Sequence, residues 1–173
     1  DCHEIKSRAA ALSEKRRPRF DERGQLTPRE RLLRLLDPGM PFLELFGLAN
    51  YMVETDDRSA SIPGASSLAG IGFVSGVRCV VYVDDSGINA GASTEMSGKK
   101  IRACMDVALR HKMPFVHLVE SAGANLMKYQ VELWADGGGI FYRLALLSAA
   151  GIPTITVLHG PSTAGGAYMP GMS

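Results

Sequence analysis

The pattern of hydrophobic and polar positions divides the chain near residue 69. Before this point, Glu4 to Arg17 combines good helix formers with a weak apolar stripe, which predicts a helical arm that packs on a partner surface or frays. Thr27-Pro-Arg-Glu30 is a capping box ahead of four leucines, and Asp37-Pro-Gly39 is a stop signal. We therefore predict a short, well-defined helix between them.

From Ala69 onward, segments typical of strands alternate with segments typical of helices. Two β-branched runs joined around Ser75-Gly76 predict a hairpin, and a Gly at position 151 closes a helix. Such alternation across short turns predicts an α/β fold in which helices cover parallel strands. The predicted segments are, in order, Ile71–Val77, Cys79–Asp84, Ser93–His111, Phe115–Val119, Ile140–Ala150 and Ile152–Leu158.

The predicted helix over Ser93–His111 has one apolar face and one charged face. The charged face includes Lys99, Lys100 and Arg102, a cationic cluster that could meet phosphate groups or could simply be a solvated surface. A phosphate-loop reading fails because the spacing from Gly91 is wrong and Lys100 stands where a hydroxyl residue is required. The apolar face consists of Ile101, Cys104, Met105, Ala108 and Leu109.

Composition narrows the class of protein. With 19 Lys and Arg against 18 Asp and Glu, the net charge of +1 gives no general case for nucleic acid or an anionic membrane as partner. Three widely spaced cysteines suit a reducing compartment, no zinc-like cluster is present, and the apolar runs are too short to span a membrane. We expect a soluble intracellular chain, divided into an arm (1–26) and a domain (27–173) truncated at its carboxyl-terminal end.

Two loops poor in side chains follow predicted strands. The first is Glu120-Ser-Ala-Gly-Ala-Asn125 and the second is His159-Gly-Pro-Ser-Thr-Ala-Gly-Gly-Ala-Tyr168. Because ligands of such sheets collect at the carboxyl ends of the strands, both loops should open on one side. Backbone N–H groups aimed at one point would stabilise an oxyanion, although Gly and Ala also serve tight turns and close packing.

Ser162 is the one candidate nucleophile. Gly160-Pro-Ser162-Thr-Ala164 nearly matches a nucleophile elbow, with Ala in place of the last Gly. His159 is too close in sequence to be assumed to reach Ser162, and no acid partner is defined. A structural hydroxyl is the favoured interpretation. His117, inside a predicted strand, and His111, at a helix end, are interpreted as packing or surface residues.

Three sequence blocks, taken in order, resemble one family. They are Arg29-Glu-Arg-Leu-Leu-Arg-Leu-Leu-Asp-Pro-Gly39, Ser121-Ala-Gly-Ala-Asn-Leu126 and Ser162-Thr-Ala-Gly-Gly-Ala-Tyr-Met-Pro170. Together they resemble the amino-terminal half of the carboxyltransferase (beta) subunit of biotin-dependent acyl-CoA carboxylases. The branch acting on methylcrotonyl-CoA or geranyl-CoA is the most similar, and the resemblance covers nearly the whole chain from Arg29.

The resemblance implies a crotonase-like fold of repeated ββα units. It implies an enzyme that moves CO2 from carboxybiotin, carried by a biotin carboxylase/biotin carrier subunit, to an acyl-CoA through a thioester enolate. It also implies a hexamer of the full-length subunit, no metal, and a cytoplasmic location or, in a eukaryote, the mitochondrial matrix. The implied enolate donors are Gly123, Ala124, Gly165 and Gly166, and the implied CoA contacts are Lys99, Lys100, Arg102 and Ala164.

The chain departs from the family pattern at one loop. Where the family usually has Asp-Ser-Gly-Gly-Ala, this chain has Glu120-Ser-Ala122-Gly-Ala124. A crotonase-type hydratase, isomerase or decarboxylase is an alternative that would need a carboxylate, and Glu120 and Glu132 are the nearby candidates. A serine hydrolase using Ser162 is a further alternative. An assembly or regulatory domain without catalysis is the third, and Ala122 is the feature in its favour.

Overall fold

The structure, a computed structural model, describes residues 1–124 and 131–173. The helices are α1 (Cys2–Glu14), α2 (Arg17–Glu22), α3 (Pro28–Leu35), α4 (Glu95–His111), α5 (Val131–Ala149) and α6 (Gly165–Gly171), with a 3-10 turn at Asn89–Gly91. The strands are β1 (Leu43–Glu44), β2 (Ser67–Val74), β3 (Val77–Asp84), β4 (Phe115–Ser121) and β5 (Thr154–Ser162).

The amino-terminal arm packs on the rest of the chain. Instead of one helix it forms two, because the chain turns at Arg16, ahead of Pro18 in the first turn of α2. Ser13 is buried and donates to a carboxylate oxygen of Asp85 at 2.7 Å. Phe20 is buried beneath the guanidinium of Arg31. The prediction that the arm frays is therefore wrong, whereas the boundary at residue 26 stays a prediction.

The described strands form one mixed sheet in the order β1-β2-β3-β4-β5. The hairpin between β2 and β3 is confirmed: Ser75 and Gly76 both have positive φ, and their N–H groups donate to the Asp37 carboxylate at 2.8 and 2.7 Å. β3, β4 and β5 are parallel neighbours, as predicted. Their carboxyl ends therefore lie at one edge of the sheet.

Both faces of the central strands are buried. One face packs on α4 and α5 through Tyr82, Phe115, Val119 and the apolar side chains of those helices. The opposite face packs on α3. The capping box of Thr27 and Glu30 starts α3 as predicted. Because successive side chains point to opposite faces and both faces are covered, residues 79–83 of β3 form a continuous apolar run.

Helix α4 has the predicted apolar face, but its charged face is only partly exposed. Lys100 and Arg102 are buried, while Lys99 is exposed and pairs with Glu95. Lys100 donates to the carbonyl oxygens of Gly64 and Ser67 at 2.9 and 2.8 Å. The prediction that all three cations share one surface cluster is therefore wrong, because two of them satisfy backbone or carboxylate groups from distant segments.

Helix α5 begins nine residues before the predicted start at Ile140. The segment includes Gly137, Gly138 and Gly139, and glycine is a poor helix former. At Gly139 a Cβ would lie 3.1 Å from Cδ of Arg102, so the missing side chain permits close packing of α5 on α4. Tertiary packing thus outweighs local propensity. The predicted end is confirmed, since Gly151 has a φ of +69°.

Candidate active site

The two side-chain-poor loops meet at the carboxyl edge of the sheet, which confirms that they open on one side. β4 and β5 each run slightly beyond their predicted ends, so that Ser121 pairs with Ser162. Just past this pair, a Cβ added to Gly123 would lie 3.2 Å from Oγ1 of Thr163 and 3.7 Å from Cβ of Ala164. Glycine at position 123, where φ is +84°, therefore lets the loops touch.

One cavity of about 480 Å³ opens between these loops, the first turns of α4 and the middle of α5. The four residues proposed as enolate donors, Gly123, Ala124, Gly165 and Gly166, all line it. Its apolar wall consists of Ile101, Val119, Ile140, Phe141 and Met169. A ligand with an apolar tail and one polar, anion-forming atom suits such a cavity.

The N–H groups of the four residues differ in availability. Gly123 donates to Oγ of Ser121 at 3.1 Å, and Gly166 donates to the carbonyl of Thr163 at 3.0 Å. Within the described part of the chain, the N–H groups of Ala124 and Gly165 have no acceptor. Counting described acceptors only, each loop thus offers one free donor beside the cavity.

Ala164, at the turn before α6, has strained backbone geometry. Its φ of 49° and ψ of −123° lie in a region that glycine adopts readily and alanine rarely does. Such a conformation costs about 1–3 kcal/mol and is found at functional sites. The surrounding loop therefore holds Ala164 in place, next to the free N–H of Gly165.

Ala164→Gly in the full-length protein should raise the melting temperature and lower kcat. Glycine removes strain of about 1 kcal/mol or more, but it also frees the turn that aims the Gly165 N–H group. Calorimetry and steady-state kinetics measure the two effects. A lower melting temperature would show that Ala164 is not strained, and Gly171→Ala, where a Cβ has open space, is the matched control.

The residues predicted to contact CoA lie at different distances from this cavity. Arg102 and Ala164 line it, whereas Lys99 and Lys100 do not. Arg102 donates to the carbonyl of Asp136 at 2.9 Å and pairs with its carboxylate. Lys100 is held by two carbonyls, and burial lowers its pKa to about 8. Arg102 is therefore the cation best placed to face a ligand in the cavity.

The cavity wall also contains a polar pair that was not predicted from the sequence. Oδ2 of Asp84 lies 3.1 Å from Nε2 of His117 and accepts the N–H of Glu120 at 3.1 Å. Both side chains line the cavity, and the His117 ring packs edge-on against Tyr82. Asp84 at the end of β3 and His117 in β4 become neighbours through the parallel register, in which Tyr82 pairs with His117.

The remaining candidates are not arranged for side-chain catalysis. Ser162 is the last residue of β5, and its buried hydroxyl has no hydrogen-bond partner within the described residues. Glu120 is buried against Arg31, with Nη1 and Oε2 2.7 Å apart, and Glu132 is exposed at the start of α5. Asn125 and Leu126, part of the second family-like block, lie outside the described residues. Within the described ranges, no three His, Cys, Asp or Glu side chains are grouped to hold a metal ion.

The structure also bears on membrane association. Among the described residues, no helix combines the length and the apolar character needed to cross a bilayer. The longest described helix, α5, has 19 residues but carries glycines and charged side chains.

The family model for the carboxyl transferase domain matches residues 20–173. The chain is 46% identical over 155 residues to a probable biotin-dependent acyl-coenzyme A carboxylase beta2 subunit of Mycobacterium tuberculosis, covering 90% of this chain and 28% of the relative. It is 45% identical over 170 residues to the biotin-dependent 3-methylcrotonyl-coenzyme A carboxylase beta1 subunit of the same organism, covering 95% and 31%. The chain thus spans about a third of the length of these relatives.

Solved structures support the same assignment. The beta subunit of geranyl-CoA carboxylase from P. aeruginosa superposes with a TM-score of 0.90 and 44% identity, over 99% of this chain and 32% of that one. The transcarboxylase 12S hexamer superposes with a TM-score of 0.83 over 99% of this chain and 34% of that one, but its 24% identity supports the fold alone. The chain therefore has the crotonase-like fold and belongs to the carboxyl transferase domain family.

Proposed function

We propose that the full-length protein carrying this chain is the carboxyltransferase component of a biotin-dependent acyl-CoA carboxylase. The proposal rests on one observation: two loops of small residues meet at one cavity, and each loop has a backbone N–H group without a described acceptor. The relatives named for methylcrotonyl-CoA and geranyl-CoA carboxylation support an acyl-CoA with a branched, unsaturated chain as substrate. The apolar wall formed by Ile140, Phe141 and Met169 suits such a chain.

In this proposal the chain's own contribution is to stabilise an enolate. The thioester oxygen of the substrate lies between the N–H groups of Ala124 and Gly165, where negative charge develops when a carbon-bound proton leaves. Removing one such donor typically costs about 2.7–4 kcal/mol of transition-state stabilisation. Donors that are already fixed by their loops need no reorganisation during the reaction.

The carboxylates of Glu120 and Asp84 are both engaged in the structure and are therefore not free bases for this step. Glu120 is paired with Arg31 and Asp84 is paired with His117. Carboxybiotin, when bound, supplies the carboxyl group and the base. The backbone donors of this chain fit that chemistry because they stabilise the substrate oxygen without competing for the proton. We assign no residue of this chain to biotin, since the family resemblance places its contacts in the carboxyl-terminal half.

Partners and assembly follow as proposals from the same family. A biotin carboxylase and biotin carrier subunit would deliver carboxybiotin, and the full-length subunit would assemble as a hexamer. The transcarboxylase structure is described as a hexamer assembly. The Gly165-Gly166 loop would then lie near a boundary between subunits.

The direct test is incorporation of labelled bicarbonate by the full-length protein with its biotin-carrying partner. We expect ATP-dependent carboxylation of 3-methylcrotonyl-CoA or geranyl-CoA, blocked by avidin, with less activity on propionyl-CoA. Failure to carboxylate any of the three, with a partner subunit shown to be biotinylated, would contradict the proposal.

A crotonase-type proton transfer is the second candidate, and the Asp84–His117 pair favours it. A carboxylate and an imidazole in the wall of the cavity could remove and return a proton of the acyl chain. This activity would appear as solvent deuterium exchange into the acyl-CoA without ATP or biotin. Fast exchange that is lost in Asp84→Asn, together with no carboxylation, would replace the first proposal.

The serine hydrolase alternative predicts a different result at Ser162. Because its hydroxyl contacts no described base, Ser162→Ala should keep carboxylation within about tenfold of wild type. A loss of several orders of magnitude with normal assembly, or labelling of Ser162 by an active-serine reagent, would instead identify a nucleophile. The measurement is kcat/KM together with thioester hydrolysis.

A further inference from the structure

The pairing of β4 with β5 is broken immediately before the two loops. Val119 pairs with Leu158 and Ser121 pairs with Ser162, so one residue of β4, Glu120, stands opposite three residues of β5. These three residues, 159–161, form a bulge. Bulges next to functional sites re-aim the chain, and the ladder of backbone hydrogen bonds does not hold them.

A buried charged cluster occupies this break. Arg31 of α3 and Glu120 are 7% and 3% exposed, and Nη1 of Arg31 lies 2.7 Å from Oε2 of Glu120. The same Nη1 lies 3.2 Å from Nε2 of His159, the first residue of the bulge. One guanidinium thus joins β4 and β5 near their carboxyl ends.

Arg31 and Glu120 balance each other's charge in this cluster, and Nη2 of Arg31 and Nδ1 of His159 have no hydrogen-bond partner among the described residues. Burial, and next the positive charge of Arg31, lowers the pKa of His159 to about 4, so its ring is neutral and Nε2 accepts from the guanidinium. Gln25 donates to the carbonyl of His159 at 2.9 Å. A Cβ at Gly160 would lie 2.6 Å from Cδ of Glu120, so the carboxyl group packs directly on the backbone of the bulge.

We propose that Arg31, Glu120 and His159 are positioning residues that fix the bulge and thereby set the distance between the two donor loops. Ser121 follows Glu120 directly and bonds the N–H of Gly123, while the bulge leads into the turn before Gly165. A shift of the bulge therefore changes the separation of the Ala124 and Gly165 donors. The kinetic part of this inference depends on the proposed function, but the structural part does not.

The test compares Glu120→Gln with wild type in the full-length protein. Glutamine keeps the size of the side chain but removes the charge that balances Arg31. We expect kcat to fall about 100-fold, as for a displacement of about 1 Å, with KM for the acyl-CoA within about twofold. We also expect faster amide hydrogen exchange in peptides covering residues 159–166, measured without substrate or biotin.

Asp106→Asn is the matched control, because Asp106 and Arg143 form an ion pair between α4 and α5 that is away from the loops. It should leave kcat and the exchange of residues 159–166 unchanged. If Glu120→Gln fails to assemble, Glu120→Asp keeps the charge and should assemble with a smaller loss of kcat. Adding Arg31→Met to Glu120→Gln should restore assembly, because no unpaired charge is then buried. It should not restore kcat, because the contacts that fix the bulge are still absent.

The outcomes separate this inference from the proposed function. Wild-type exchange at residues 159–166 in Glu120→Gln overturns the inference, whatever the activity. If the wild-type protein does not carboxylate any acyl-CoA, the proposed function is overturned. The hydrogen-exchange result still tests whether Arg31, Glu120 and His159 fix the bulge. If Glu120→Gln and the control Asp106→Asn lose the same amount of kcat, the loss is a general effect on stability. That result also overturns the inference.

Discussion

Gly166→Ala in the full-length protein should lower kcat by about 100-fold, the effect expected from a displacement of about 1 Å at a reacting group. A Cβ at this position would lie 2.6 Å from Oγ of Ser162 and 3.1 Å from Cβ of Ser121. The loop must move to relieve these contacts, and the N–H of Gly165, one residue earlier, moves with it. Steady-state kinetics with the biotin-carrying partner measure the loss.

The contact with Ser162 provides an internal control. Removing the hydroxyl in Ser162→Ala/Gly166→Ala relieves the shorter contact, so we expect the double variant to regain at least about tenfold in kcat, a coupling typical of residues in contact. Gly171→Ala, where nothing lies within 4 Å, should match wild type. Wild-type kcat in Gly166→Ala would exclude this loop from the site. Equal losses in the single and double variants would show that Ser162 is not the obstacle.

Features set by short stretches of sequence could be predicted. Thr27 and Glu30 form their capping box within one turn, and the hairpin at Ser75-Gly76 needs only two adjacent residues with positive φ. The strands over Ile71–Val77 and Phe115–Val119 were recognisable because their apolar, β-branched side chains suit a sheet buried on both faces. These signals also place both small-residue loops at one edge.

Features set by distant contacts could not be predicted. Lys100 looked like a surface residue because helical periodicity carries no information about the carbonyls of Gly64 and Ser67. The Asp84–His117 pair depends on the register between β3 and β4, and this register cannot be predicted from the sequence alone. Arg31 and Glu120 are 89 positions apart. The extension of α5 through three glycines likewise required knowledge of its packing on Arg102.

The position of the candidate site could be predicted, whereas the roles of its residues stay a prediction. The family resemblance implies four backbone donors, and the four residues all line one cavity. Hydrogen bonds within the loops then engage Gly123 and Gly166, which leaves Ala124 and Gly165 as the free pair in the proposal. Such bonds depend on loop conformation, and small residues reveal only that many conformations are allowed.

The exposed part of β5 is a candidate contact surface in the proposed hexamer. β5 is an edge strand of the described sheet, and Ile155, Val157 and Leu158 are exposed along it. An unprotected apolar edge strand favours association with another strand or surface. Tyr168 on α6 is also exposed, next to the Gly165-Gly166 loop. In the proposed hexamer, a second subunit covers this surface.

Leu158→Asp should dissociate the assembly and abolish carboxylation. Leu158 is 53% exposed, so aspartate is tolerated in an isolated subunit but is costly when a partner removes it from water. Light scattering or sedimentation measures the mass of the full-length protein. Loss of assembly should reduce carboxylation by more than about 100-fold if the site is completed across the subunit boundary, because reacting groups would no longer be held together.

Val77→Asp is the matched control, since Val77 is 50% exposed but lies at the hairpin end of β3, away from the loops. It should keep both the mass and the activity of wild type. A fully active monomer of Leu158→Asp would show that the site is complete within one chain. If Leu158→Asp is insoluble while Val77→Asp keeps the mass and activity of wild type, β5 is covered within its own subunit. The substitution would then have disrupted a surface needed for folding and not only for assembly.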